Sequence, residues 1–94
     1  MLKVIAHIHA KPGHEDELRA GLEELVAPTR AEKGCVQYDL FRDSEDPCHF
    51  IFDEMWESHE LWRAHINSDH IKAGSEKTGA LRERTTIYQG HQIL

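Results

Sequence analysis

Glu54 stands in HFIFDEMWES, residues 49 to 58, where an ordinary strand would carry another apolar side chain. Phe50, Phe52 and Trp56 recur with the period of two of an extended chain, and Glu54 shares their face. A carboxylate there loses its water among aromatic rings unless something compensates it. Val36 and Tyr38 in CVQYDLFR fall on the same face of a second strand, and Leu61, His65 and Ile66 reach towards it from a helix above. A plain core would not gather a carboxyl, a phenol and an imidazole, because each must find a partner once buried. An apolar pocket with a few convergent polar groups is the common form of a small-molecule site, and these groups can exchange protons within it.

Each residue also has a purely structural reading. Glu54 can accept hydrogen bonds from helix N-termini or pair with Arg19, Arg30 or Arg63. His65, at helical spacing from Leu61, can be a hydrogen-bonded packing residue, and Trp56 and Trp62 can be core and surface aromatics. Only the coincidence of several on one face favours a site. Eight histidines raise the question of a metal, and His7 and His9 do share a strand face. Zinc needs a third ligand at a definable spacing, and neither cysteine stands beside that pair, so no metal is expected. His65 and His70 do not form an HExxH motif, because Asn67-Ser68-Asp69 breaks the helix between them. With no phosphate-binding glycine loop, GxSxG elbow or GxGxxG run, a redox cofactor has no recognisable seat.

The elements that must position these residues follow from periodicity. LKVIAHIHA, residues 2 to 10, is a strand with Leu2, Val4, Ala6, Ile8 and Ala10 on its apolar side, stopped by Pro12-Gly13. From His14 the apolar spacing becomes three and four through Leu18, Leu22, Leu25, Val26 and Thr29, which predicts an amphipathic helix loosened late by Pro28 and ended near Gly34. Residues 35 to 42 and 49 to 56 form a hairpin around Asp43-Ser44-Glu45-Asp46-Pro47. A turn centred near Glu45 sets Tyr38 opposite Phe52 and Val36 opposite Glu54, and keeps Cys35 and Cys48 apart as free thiols. Ser58 caps a helix to about Ile66, Ser68 or Asp69 caps another to about Arg82, and residues 85 to 94 form the last strand. The order β-α-β-β-α-β, with its second helix split, predicts an α+β ferredoxin-like sandwich in one domain, residues 1–94.

Composition bounds the partners. A chain of 94 residues with net charge -6, its 17 acidic residues unblocked and outnumbering 11 basic ones, offers no basic stripe for nucleic acid. No apolar run approaches a membrane span and no signal peptide opens the chain, so a soluble, cytoplasmic protein is expected. The sheet's second face carries Ile5, Phe41, Ile51 and Met55 among His7, His9, His49 and Asp53. With a thin core and no cover for that face, a homo-oligomer is expected.

VIAHIHAKPGHEDEL, LVAPTRAEKGCVQYDLFRDSEDP, FIFDEMWES and HINSDHIKA resemble, in order and spacing, the antibiotic biosynthesis monooxygenase domain family over essentially the whole chain. The resemblance implies a homodimer joined through its sheets into an α+β barrel, with a pocket between sheet and helices in each subunit. It also implies oxidation of a quinol or anthrone-like polyphenol by molecular oxygen, without flavin or metal. Glu54, Trp56, Tyr38 and His65 fall on the family's recurrent pocket positions, and His70 lies near its mouth. His65 is then the expected base. Glu54 either orients His65 or, protonated, donates to a substrate oxygen; Trp56, Phe50 and Phe52 stack on the flat substrate, and Tyr38 fixes a ring oxygen. The only Asn is Asn67, far from the first strand, which disfavours the haem degradation of some relatives. Isomerisation of a phosphorylated small molecule is disfavoured because the apolar faces offer aromatics rather than Lys or Arg. The alternative is a pocket protein that isomerises or sequesters a small aromatic ligand.

Overall fold

Alternation builds the first strand, β1 (Leu2–Ala10): in the computed structural model, which describes residues Met1–Leu94, Leu2, Val4, Ala6, Ile8 and Ala10 are all buried and the intervening residues half-buried. The helical stretch that follows is two helices, α1 (Glu15–Glu23) and α2 (Val26–Arg30). Pro28 is the cause, but it acts earlier than expected. Its ring conflicts with the carbonyl four residues back, and the break falls there, at Glu24. Gly34 takes φ +86° and turns the chain into β2 (Cys35–Arg42).

The hairpin to β3 (His49–Trp56) has a different register from the expected one: Tyr38 faces Glu54, Leu40 faces Phe52 and Arg42 faces Phe50. The loop is wider because the Asp43 carboxylate accepts from the backbone N–H of Glu45 and Asp46, and Asp46 from that of Cys48, so the turn centres on Asp46. A shift of two residues preserves which face each side chain occupies. The inward residues therefore stay inward, except Val36, which a bulge between Cys35 and Gln37 leaves half exposed at the surface. Cys35 and Cys48 are free thiols.

Ser58 accepts the N–H of Leu61 and starts α3 (His59–Ile66) as expected. Helix α4 (Asp69–Thr78) ends before Arg82, in the 3-10 turn Gly79–Leu81. The last strand, β4 (Arg82–Gly90), accordingly starts three residues earlier than expected and leaves residues 91–94 outside it. All neighbours in the sheet are antiparallel, in the order β2-β3-β1-β4. Leu18, Leu22 and Leu25 join the buried face of β1 and β3 in one core, so the helices form a single layer over one sheet face, the ferredoxin-like α+β arrangement. No helix is long and apolar enough to cross a membrane.

Candidate active site

A cavity of about 500 Å³ opens between the sheet and helices α3 and α4. Val4, Ala6, Ile8 and Phe52 floor it; Tyr38, Glu54 and His65 bring a phenol, a carboxyl and an imidazole to it, and Ser75, Glu76 and Thr85 are among the further polar residues of its lining. Two other hollows of similar size lie at the surface. One, among Arg19, Arg30 and Arg42, has guanidiniums facing carboxylates; the other, beside Met1 and Tyr88, has no comparable convergence of acid and base.

Glu54 pairs with none of the arginines that sequence reasoning offered it. Arg19 binds Glu23, Arg30 binds Asp39 and Arg63 contacts His59. The Glu54 carboxyl, 4% exposed, instead accepts the indole N–H of Trp56 at 2.9 Å. Burial pushes its pKa up to about 7, against that hydrogen bond. Beside it, Tyr38 stacks on Phe52 with ring centroids 4.7 Å apart, and burial raises the phenol further above its ordinary range.

His65, 2% exposed, is oriented by a residue the sequence reading did not single out. Its Nδ1 lies 2.6 Å from Oε2 of Glu32, and the same oxygen lies 3.0 Å from Nε2 of His70. Thr29, fully buried on α2, stands 3.2 Å from that His70 nitrogen. Glu32 thus does for His65 what was expected of Glu54. With Nδ1–H donated to a carboxylate, the tautomer is fixed and Nε2 carries the free lone pair. Burial lowers the His65 pKa, opposed by Glu32, so the neutral imidazole is the favoured form. Glu32, His65 and His70 also place three potential metal-ligand atoms within 4.8 Å of one another, although hydrogen bonds already join them.

Gly34 makes this contact possible. A Cβ on it would lie 2.5 Å from Cδ1 of Leu61, one helical turn before His65, so only glycine lets the Glu32 loop close against α3. Glu32 has no periodic signature, being in a turn; the loop's adjacency to that glycine was the available signal.

The other expected residues are placed differently from one another. Phe52 reaches the cavity, whereas Trp56 is fully buried beneath it, its ring 4.6 Å from that of His65. Phe50 is buried under the Arg42 guanidinium, away from the cavity. His70 meets Glu32 behind His65 rather than forming the cavity lining. Lys72 and Arg82, which sequence reasoning did not place here, both line it.

Residues 1–77 match the family described as antibiotic biosynthesis monooxygenase. The chain belongs to that family. A crystal structure of PA3566 from Pseudomonas aeruginosa superposes with a TM-score of 0.94 at 39% sequence identity, over 99% of this chain and 94% of that one. "Probable quinol monooxygenase YgiN" of Escherichia coli is 33% identical over 86 residues, covering 81% of this chain and 83% of that protein. The chain spans only about half of "Uncharacterized protein sll1783" of Synechocystis, which it matches at 27% identity over 75 residues, 80% of this chain and 51% of that one. Membership of this family makes the cavity a candidate site of monooxygenase type.

Proposed function

We propose that the cavity oxidises a flat phenolic substrate, a quinol or an anthrone-like polyphenol, with molecular oxygen and without an organic or metal cofactor. The observation that carries this reading is His65, held neutral by burial and fixed by Glu32 at Nδ1 so that Nε2 can take a proton. A phenol or anthrone gives up an electron to oxygen far more readily once deprotonated. His65 takes that proton, and the apolar floor keeps water from the anion. Glu54, protonated below about pH 7, donates to a substrate oxygen, and Tyr38 donates to another. One oxygen atom enters the ring, as the new carbonyl of a quinone or as the hydroxyl of a hydroxyquinone formed with oxidation of the quinol itself, and the other leaves as water. All four electrons that reduce the oxygen come from the substrate, so no external reductant is consumed. The name of the YgiN relative supports a quinol as the substrate class.

Turnover under ¹⁸O-labelled oxygen tests this reading. One labelled atom should appear in the product, unless solvent exchange removes it, and one in water. Hydrogen peroxide formed one for one with oxygen consumed would instead make the protein an oxidase. A second copy of the chain covering the outer sheet face belongs to the same reading. Phe41 and Tyr88 stand more than half exposed there, beside the half-buried Ile5, Ile51 and Met55.

A further inference from the structure

Two sheet cations share the helix-side face, Arg42 and Arg82; Arg42 lies over Phe50 and faces the Asp16 carboxylate, whereas Arg82 faces no carboxylate. Its partner across the ladder is Ala10, at the end of the buried face of β1, and a register shift between His9 and Ala10 sets it on the helix-side face, half-buried beside the exposed Thr85 and Ile87. Its guanidinium is held only by neutral oxygens: Nε donates to the Thr78 hydroxyl at 3.1 Å and Nη1 to that of Thr85 at 3.3 Å. Arg19, Arg30 and Arg42 each face a carboxylate within 4.0 Å, whereas Arg82 has none. Burial depresses its pKa, yet a guanidinium stays charged.

A half-buried cation without a counter-ion costs stability. Two hydroxyls occupy two of its five N–H donors, which fixes the fork and leaves the rest open to a ligand. Glu54 sits at the level of Val4 on the same sheet face, six residues along β1 from Ala10. At roughly 3.3 Å per residue that separation is about 20 Å between backbones, which the arginine side chain shortens. Glu54 and Arg82 are thus rooted at opposite ends of the buried sheet face, and the Arg82 guanidinium reaches back into the cavity, close enough for its charge to act on the Tyr38 phenol.

Resting on the proposed use of this cavity, we propose that Arg82 binds a fixed anionic oxygen, a carboxylate, at the end of the substrate remote from the phenol that His65 deprotonates. The substrate class narrows to hydroxylated aromatic acids. The contact acts in binding and specificity, not in proton transfer.

Anaerobic binding of two probes separates this claim from the oxygenase reading, because no turnover is involved. In 6-hydroxy-2-naphthoate a hydroxyl and a carboxylate stand at opposite ends of a flat ring pair, and 2-naphthol lacks the carboxylate. Wild-type protein should bind the acid about tenfold more tightly, as one charge-assisted fork would give. Arg82→Gln should lose that preference while binding 2-naphthol unchanged, and Arg82→Lys should keep part of it. Equal affinity for the two probes in the wild type, or no binding of the acid, overturns the proposal whether or not any variant folds. So does a preference retained in Arg82→Gln, or one abolished by Lys72→Gln instead, which would put the anion at the α4 lip. Oxygen uptake with neutral quinols but no acid preference would remove the anion site and leave the oxygenase reading intact.

Discussion

Burial raises the Glu54 pKa from 4.5 to about 7, outweighing the indole hydrogen bond from Trp56 at 2.9 Å, which favours the carboxylate. Between those values the folded protein holds a proton that the unfolded chain has released, so stability falls as pH rises through that window. The total is on the order of 3 kcal/mol. Glu54→Gln keeps an acceptor for the indole and removes the titration. Denaturant unfolding should find the variant more stable than wild type at pH 8 and nearly equal at pH 4.5; identical pH profiles would contradict the raised pKa. His65 behaves in the opposite sense, its lowered pKa making acid unfavourable to the folded state below pH 6.5. The acidic limb of activity should accordingly lie below that pH, and loss of the Glu54 proton near pH 7 should add an alkaline limb. Glu32→Gln removes the group that holds the imidazolium, so the acidic limb should move lower while the rate drops roughly tenfold or more. A rate profile unchanged in position and height would remove Glu32 from the mechanism. Tyr38, Glu54 and His65 were legible because period two and period 3.6 fix which way a side chain faces. Glu32 and Thr29 were not, since their contacts with His65 and His70 arise only where separate elements meet.

At the scale of elements, the Gly34 turn between α2 and β2 decides whether Glu32 reaches α3. Gly34→Ala places a Cβ at φ +86° and against Leu61. It should cost about 2 kcal/mol in denaturant unfolding, and the surviving folded protein should show a weakened His65–Glu32 contact as a lower imidazole pKa by NMR. An unaltered unfolding midpoint would mean the turn is not under this constraint. The hairpin shows what alternation leaves open. Its faces were legible because parity survives a two-residue shift, but its register was not, because that depended on two aspartates widening the loop. The helix break came from a residue correctly identified, Pro28, acting through the carbonyl four positions earlier.

The whole molecule is a two-layer sandwich with extents of 36 × 32 × 18 Å, one sheet face covered by helices and the other bare. On the bare face His49 stacks on His9 at 4.2 Å and lies 2.9 Å from His7, with Ile5, Ile51 and Met55 beside them. If a second copy covers it, sedimentation should give a dimer mass, and Ile51→Arg should give a folded monomer. A wild-type monomer at micromolar concentration would refute that assembly. Fold class was legible from element order alone; what covers the outer face is a property of two chains and has no periodic trace in one.

Oxygen uptake by metal-free protein, given reduced naphthoquinols and anthrones, tests the central claim most directly, with wild type and His65→Ala compared side by side. Consumption above the autoxidation rate in the wild type, lost in a folded His65→Ala variant, is the predicted result. Consumption no faster than autoxidation in protein that binds the same compounds, or equal in both proteins, would contradict a cofactor-free oxygenase with His65 as its base.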